Sequence, residues 1–178
     1  MSAAKAGGAA KASGAAKASG AAPGAAAPPD RLARCRALLD RLRLDAVVVS
    51  AVADVRYLSG FRGEDATLVV GRDDALIVTD SRFVEQVHEE VRGFELVRRD
   101  GVDLLAATAA AVRERMGGGR TLGYQAAAVS HASYRALRRA HDGRLRDVGS
   151  RVTRLRVVKE AAEVEAVARA AAGTSATL

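Results

Sequence analysis

The sequence is poor in the residue types that cross-link or functionalise a small protein. Of its 178 residues, one is cysteine, three are histidine and none is tryptophan. A single cysteine excludes an internal disulfide framework, and this count is typical of a reducing, cytoplasmic compartment. Cys35 shares its helical spacing with Leu32, Leu38 and Leu42, which predicts a core thiol rather than a reactive one.

Long apolar runs are also missing. None approaches the roughly 18 residues that a membrane-spanning helix requires, and the first residues lack the apolar centre of a signal peptide. We therefore expect no membrane association. The stretch from Asp30 to Leu178 is long enough for one domain with a hydrophobic core, because domains run at roughly 100–200 residues.

Acidic residues are absent from the start of the chain. The lysines there are therefore uncompensated and contribute to the net charge of +7 of the whole chain. Residues 1–29 hold three Ala-Ala-Lys-Ala-x-Gly hexapeptides and a Pro/Gly/Ala stretch. Each glycine costs a helix about 1 kcal/mol, so we expect a disordered tail. A lysine arm that contacts phosphates is an alternative. Because arginines and acids are mixed in the rest of the chain, nucleic acid is not the expected partner.

Helix-type and strand-type periods alternate from Asp30 onward. Asp30 is a predicted N-cap for a helix reaching about Leu44, and Ala46–Val49 has the β-branched run of a strand buried on both faces. Thr67–Val70 and Ala75–Thr79 flank a Gly-Arg-Asp-Asp turn and are predicted to form a hairpin. Together with the elements that follow, they predict an α/β domain with a mixed β-sheet flanked by helices. Those elements are a helical turn at Ala53–Leu58, a helix capped by Ser81, strands at Phe94–Val97, Thr121–Tyr124 and Leu145–Val148, and helices marked by Leu105–Met116, Ser130–Leu137 and Ala161–Ala172.

The histidines do not have the spacing of a metal site. His88 precedes two glutamates, as in a zinc-peptidase helix, but no second histidine follows four residues later, so we expect a half-buried helix residue. His131 and His141 have no cysteine or carboxylate cluster between them, which argues against zinc. Ser130 beside His131 is predicted to be a helix cap, because no orienting third partner for a nucleophile can be identified.

Two further motifs also have structural explanations. The adjacent carboxylates Asp73 and Asp74 suit a turn better than a metal site. The triple glycine at 117–119 follows a helix instead of opening one, so it lacks the geometry of a phosphate-binding loop. The residues themselves therefore predict no catalytic group and no metal ligand on this chain.

Five segments, in order, resemble the N-terminal domain of the creatinase, prolidase and aminopeptidase P family. They are the helix from Arg31 into Ala46–Val49, the Val-Arg-Tyr-Leu-Ser-Gly-Phe stretch Val55–Phe61, the stretch Ile77–Gln86 with Thr-Asp-Ser-Arg-Phe, the Leu-Gly-Tyr of Leu122–Tyr124, and the linker Leu155–Val164. The resemblance implies that residues 30–158 form one domain. It also implies that residues 159–178 form a linker helix leading into a catalytic domain.

The resemblance further implies which chemistry lies elsewhere. In this family a catalytic domain of pita-bread fold holds a divalent metal pair with two Asp, a His and two Glu, and metal-activated water attacks Xaa-Pro bonds. No position of this sequence matches those ligands. We therefore expect a truncated form or fragment with no cofactor of its own and no activity alone. Proline-containing peptides would be its ligands only in a full-length context.

By the same resemblance, these N-terminal domains mediate subunit contacts and lend loop residues to the rim of a neighbouring active site. The candidate rim residues are Phe61, Arg62, Asp80 and Arg82, with the loop that continues through Gly63-Glu64-Asp65. Phe61 would form an apolar wall near a proline ring, and Arg82 would pair with Asp80 or a substrate carboxylate. A structural interpretation stays open, in which Phe61 packs in the core and Arg82 ties its strand to the next helix.

The expected partner is a second copy of the chain or another peptidase subunit. Two alternatives remain open: a stand-alone regulatory partner of an intact peptidase, and a nucleic-acid accessory protein that uses the lysine tail. The last helix carries Val164, Val167 and Ala171 on one face, which would need a covering surface. Without one, we expect fraying from Ala161 onward.

Overall fold

The structure, a computed structural model, describes the backbone of residues 29–175 and the side chains of residues 31–172. The predicted disordered tail therefore lies outside the described residues, except for Pro29. Within this range the chain alternates helices and strands, and no described helix is long and apolar enough to cross a membrane. The elements are α1 (Pro29–Leu42), β1 (Ala46–Val49), α2 (Val52–Ser59), β2 (Ala66–Gly71), β3 (Ala75–Thr79), α3 (Val84–Glu90), β4 (Glu95–Arg98), α4 (Leu104–Met116), β5 (Thr121–Tyr124), α5 (His131–Ala140), β6 (Arg144–Asp147) and α6 (Ala161–Ser175).

The strands form one mixed sheet in the order β4-β3-β2-β1-β5-β6. Strand β2 runs antiparallel to its neighbours β1 and β3, whereas β1 and β5, β5 and β6, and β3 and β4 pair in parallel. The carboxyl ends of the five mutually parallel strands therefore lie along one edge of the sheet, beside the amino end of β2. We call this the carboxyl edge.

Helices cover both faces of the sheet, as the α/β prediction required. Because successive strand residues point to opposite faces, Val47 and Val49 of β1 pack with α1, α2 and α3, whereas Ala46 and Val48 pack with α4 and α5. All four β1 side chains are buried. The prediction of a strand covered on both faces is therefore confirmed.

Cys35 is part of the core on the α1 side, as its spacing predicted. The residue is completely buried. Burial disfavours the thiolate and raises the pKa of the Cys35 thiol to about 12. A thiol of this kind is a small apolar group rather than a nucleophile.

Two predicted helix starts are wrong. Helix α1 begins at Pro29, before the predicted cap Asp30, because proline is tolerated in a first turn, where its missing N–H would have no partner. The second helix start is capped by Asp80 and not by Ser81. The Asp80 carboxylate accepts a hydrogen bond from the backbone N–H of Arg82, and a short 3-10 turn then leads into α3.

Other boundaries agree with the sequence or shift slightly. The hydroxyl of Ser130 caps α5 by accepting from the Ser133 N–H at 3.1 Å, as predicted. The triple glycine ends α4: Gly117 has a φ of 81°, a backbone conformation that favours glycine, and its N–H donates to the Arg113 carbonyl. Strands β4 and β6 are each displaced by one residue from their predicted ranges, and the segment predicted to be irregular contains a 3-10 turn at Thr153–Arg156.

Candidate functional site

Charged residues that flank three neighbouring strands meet at the carboxyl edge. Asp80 follows β3 directly, Asp65 precedes β2, and Arg99 follows β4. The strand register brings them together, because Thr79 pairs with Ala66 in β2 and with the residue before Arg99 in β4. The sheet topology, and not sequence proximity, assembles this group.

Arg82 and Arg99 each contact the two carboxylates of this group. The Nη2 atom of Arg82 lies 2.7 Å from Asp80 Oδ2 and 3.0 Å from Asp65 Oδ2. The Nη2 atom of Arg99 lies 2.6 Å from Asp65 Oδ2. Hydrogen bonding to Arg82 lowers the pKa of Asp80, and the same contact raises the pKa of Arg82. The predicted pairing of Arg82 with Asp80 is therefore present in the structure.

The exposure of the two arginines differs. The Arg82 side chain is 68% exposed, whereas that of Arg99 is 18% exposed. Arg99 is therefore a largely buried member of the group, whereas the Arg82 guanidinium, although bound to both aspartates, is open to solvent. Its predicted contact with a substrate carboxylate remains a prediction.

Phe61 lies inside the domain. It is completely buried, and its ring meets the Phe83 ring edge-on, with centroids 5.7 Å apart. The loop closes tightly over it, because a Cβ atom on Gly63 would lie 2.4 Å from Phe61 Cζ. This placement matches the core interpretation of Phe61. A contact with a proline ring would require the loop to open, and it remains a prediction.

Arg62 is anchored to α3. Its backbone N–H and its Nε atom both donate to the Glu90 carboxylate at 2.8 Å, and Gln86 Nε2 donates to the same group at 3.1 Å. Burial alone would raise the pKa of Glu90, but these hydrogen bonds outweigh burial and hold the pKa below its ordinary value. The Arg62 side chain is 62% exposed and stays accessible at the edge.

A second cluster, which sequence analysis missed, surrounds the buried residue Asp54. Its carboxylate accepts hydrogen bonds from Gln125 Nε2 at 2.6 Å, Thr153 Oγ1 at 2.7 Å and Arg156 Nε at 2.6 Å. The Gln125 Oε1 atom accepts from two backbone N–H groups directly after β1. The cluster therefore joins the ends of β1 and β5 to α2 and to the 3-10 turn before α6.

The start of α6 is held by Arg31 of α1. Two parallel hydrogen bonds, of 2.9 and 2.7 Å, join the Arg31 guanidinium to the Glu160 carboxylate. The same guanidinium donates to the Tyr57 carbonyl at 3.0 Å and lies 4.2 Å from the centre of the Tyr57 ring. Hydrogen bonding to Arg31 lowers the pKa of Glu160. The linker predicted from the sequence is thus tied to the domain at its first residues.

A cleft of about 470 Å³, the edge cleft, is lined by residues of both the Arg62 and the Arg31 groups. Its lining offers guanidinium and peptide hydrogen-bond donors, and these donors suit carbonyl or carboxylate groups. The lining residues are Arg31, Ala53, Arg56, Tyr57, Gly60, Arg62, Glu90, Arg156 and Glu163.

The family description "Creatinase/Prolidase N-terminal domain" matches residues 31–158. The chain belongs to this family. The expectation drawn from the five sequence segments is therefore confirmed, and the mixed sheet flanked by helices is the fold shared with its relatives.

The relatives of this creatinase/prolidase N-terminal domain include whole peptidases and isolated domains. "Uncharacterized peptidase YqhT" from Bacillus subtilis is 30% identical over 142 residues, which cover 79% of this chain and 39% of that protein. A Xaa-Pro dipeptidase from Bacillus anthracis is 25% identical, with a TM-score of 0.70, over 76% of this chain and 38% of the other. The N-terminal domain of the cytoplasmic peptidase PepQ from Mycobacterium tuberculosis is 28% identical, with a TM-score of 0.64, over 71% of this chain and 98% of the other.

The chain thus spans about two fifths of the length of the whole peptidases that it matches. Among the described residues, no group of three His, Cys, Asp or Glu side chains is placed to hold a metal ion. The divalent metal pair that the resemblance implies consequently has no candidate ligand set in the described part of this creatinase/prolidase N-terminal domain.

The histidines are placed differently from one another. His88 is exposed and not half-buried as predicted, because Val87 and Glu90 occupy the inward positions of α3. His131 is also exposed. His141 is buried, and its Nε2 atom lies 2.8 Å from the Arg120 carbonyl oxygen. That contact gives His141 a structural role at the end of α5.

Proposed function

We propose that this chain is the non-catalytic N-terminal domain of a Xaa-Pro peptidase-type protein, where it serves subunit assembly and forms part of the active-site rim. The observation that carries the proposal is the extent of the match. The chain covers 98% of the isolated PepQ N-terminal domain but 38% of the whole Xaa-Pro dipeptidase. The catalytic metal pair would then belong to a domain outside residues 1–178.

The chemistry of the carboxyl edge supports a binding role rather than a catalytic one. Amide hydrolysis needs an activated nucleophile or a metal-bound water. The edge supplies guanidinium groups held by carboxylates instead, and these bind and orient anions. Arg62 and Arg82 are the most exposed members of the predicted rim, so they would contact a peptide carboxylate first.

In the resting arrangement Asp65 and Asp80 hold Arg82 at the edge. An incoming carboxylate would compete with them for the guanidinium. Such exchange costs little, because the Arg82 side chain is 68% exposed and water screens its ion pairs. Arg82 would therefore serve as a movable contact while Arg99 keeps the two aspartates in place.

The first test is peptide hydrolysis. The full chain, incubated with Xaa-Pro dipeptides and tripeptides in manganese or cobalt, is expected to release no product, whereas a whole Xaa-Pro aminopeptidase assayed in parallel does. Turnover that co-purifies with the chain through successive columns would contradict the non-catalytic part of the proposal.

The second test addresses the rim. In an NMR titration of the isotopically labelled chain with a Gly-Pro-type peptide, we expect the backbone and Nε–H signals of Arg62 and Arg82 to shift. Arg82→Gln should abolish the shifts near β3. The matched control is Arg72→Gln, because Arg72 is similarly exposed and also paired with an aspartate, Asp40. Equal effects of both variants would argue against a rim role.

The third test addresses assembly. Light scattering coupled to size exclusion should give a mass that rises above one chain, about 18.5 kDa, as the protein concentration increases. A single-chain mass at every concentration would contradict the assembly part of the proposal and would not affect the rim part.

A further inference from the structure

A second cleft, of about 400 Å³, lies between α1 and the segment that follows β6. It shares no lining residue with the edge cleft, and the proposed function assigns it no role. Its lining consists of arginines and leucines only: Arg34, Leu38, Arg41, Leu42, Arg151, Arg154 and Leu155. We call it the arginine–leucine cleft.

Two of the four arginines are fixed in place by the domain itself. Arg34 donates to the Leu155 carbonyl at 2.7 Å and to the Tyr57 hydroxyl at 3.2 Å. Arg151 donates to the Val148 carbonyl at 3.1 Å. These contacts give the cleft walls of defined shape, and Arg34 also forms an ion pair with Glu160 at 3.9 Å.

The other two arginines have no partner within the described residues. Arg41 and Arg154 are exposed, and neither side chain has a hydrogen bond or an ion pair with a described residue. In the edge cleft, Arg31, Arg62 and Arg156 are each paired with a carboxylate, and the exposed Arg56 is the one arginine of that lining without a described ion pair. The arginine–leucine cleft therefore contains two guanidinium groups, those of Arg41 and Arg154, that are not paired with a described carboxylate.

Two carboxylates that do not line the cleft make their hydrogen bonds with other groups. Glu160 lies 3.9 Å from Arg34, but its two oxygens are already bound by Arg31. Asp147, on the β6 side, accepts hydrogen bonds from the backbone N–H groups of Ala126 and Gly149. Neither carboxylate belongs to the lining of the cleft.

Below the arginines the cleft is apolar. Leu38 is 7% exposed and Leu155 is 9% exposed, so both are recessed below the guanidinium groups, and Leu42 is half-buried beside them. An apolar floor with a small number of polar groups above it is the usual construction of a binding site. The occupant that complements it has an aliphatic body and carboxylates at its sides.

We propose that the arginine–leucine cleft binds an acidic, aliphatic segment of a partner polypeptide, with the carboxylates of that segment on Arg41 and Arg154 and its aliphatic side chains on the leucines. A nucleic acid is disfavoured because the lining contains no aromatic ring for base stacking. A membrane surface is disfavoured as the partner. Proteins that bind membranes project apolar side chains outward into the bilayer, whereas the leucines of this cleft are recessed.

The test uses the full chain and a fluorescein-labelled peptide of eight alternating glutamates and leucines, followed by fluorescence anisotropy. We expect saturable binding that weakens with added salt. The same peptide with glutamine in place of glutamate should bind at least about tenfold more weakly, because a charge-assisted hydrogen bond contributes about a factor of ten.

The deciding variant is Arg41→Gln combined with Arg154→Gln. Neither side chain has a partner to lose, so the urea midpoint should be unchanged, while peptide affinity should fall at least about tenfold. The matched control is Arg135→Gln combined with Arg139→Gln, which removes the same charge from two exposed positions of α5. This control is expected to bind the peptide with an affinity within about twofold of that of the unaltered chain.

Three outcomes would overturn the proposal. Absence of saturable binding would exclude the acidic partner. Equal losses in the two double variants would mean that the peptide responds to net charge and not to this cleft. Tighter binding of single-stranded DNA or of phosphatidylglycerol vesicles, sensitive to Arg41 and Arg154, would assign the cleft to a different partner class. None of these outcomes affects the rim proposal, which depends on other residues.

Discussion

Replacing Asp54 with alanine is expected to destabilise the domain more than any substitution in its surface turns. Asp54 is completely buried, and its carboxylate joins α2 to the end of β5 through Gln125 and to the 3-10 turn through Thr153 and Arg156. Alanine removes all three acceptor contacts at once. It also leaves the side-chain amide of Gln125, itself 3% exposed, without this acceptor.

The size of the effect follows from the exposure of the partners. Removing one member of a fully buried ion pair costs about 3–5 kcal/mol. The Arg156 side chain is 34% exposed, so its charge can reach water and the cost falls toward the lower limit. We expect a loss of about 3 kcal/mol, which corresponds to a melting temperature lower by about 6–12 °C for a chain of this length.

Urea unfolding followed by circular dichroism measures this loss, and hydrogen exchange of the amides at Thr153–Arg156 shows whether the turn before α6 loosens. The control is Asp73→Ala, at an exposed position in the β2–β3 turn, which should change the unfolding free energy by no more than about 0.5 kcal/mol. If Asp54→Ala also stayed within that limit, the buried cluster would not contribute to stability.

Three further predictions concern single groups. Burial raises the pKa of Cys35 to about 12, so its thiol should resist Ellman's reagent near pH 8 until urea is added; rapid reaction of the native chain would refute its burial. Arg31 lowers the pKa of Glu160, so the pair stabilises the fold above the ordinary pKa of 4.5 and loses this effect as pH falls through the lower folded pKa. Glu160→Gln should therefore flatten the acid side of the stability–pH curve, and an unaltered curve would argue against the pair. Gly143→Ala would place a Cβ atom 1.9 Å from the Arg120 carbonyl oxygen, so we expect a loss of about 1–3 kcal/mol, and an unchanged urea midpoint would contradict this contact.

The parts of the fold that could be predicted from sequence are those with local causes. Ala46–Val49 and Thr121–Tyr124 have the bounds that their apolar runs predicted, and Ala75–Thr79 follows a turn of Gly-Arg-Asp-Asp composition. Errors at helix starts are local as well. Asp80 and Ser81 are both good capping residues, and only the end of β3 at Thr79 decides which of them stands at the cap.

The composition of the site could not be predicted in the same way, because its contacts join distant parts of the chain. Arg156 and Asp54 are 102 residues apart, and Arg31 and Glu160 are 129 residues apart. In the folded chain, the parallel pairing of β1 with β5 places the elements that carry Asp54 and Gln125 side by side at the carboxyl edge. The five family-like segments indicated the region of the rim, but no local pattern indicated the Asp54 cluster.

Arginine shows most clearly why placement and not composition decides function in this chain. Two arginines of the edge cleft have structural roles, since Arg31 and Arg156 are bound to carboxylates of other elements. Arg41 and Arg154 are the same residue type in the arginine–leucine cleft, and neither forms an ion pair with a described acid. Net charge and arginine count treat the four alike, yet only the second pair has no ion pair with a described carboxylate. For this reason an assay that compares pairs of arginine substitutions with the same change in net charge separates a binding surface from structural arginines, which composition cannot do.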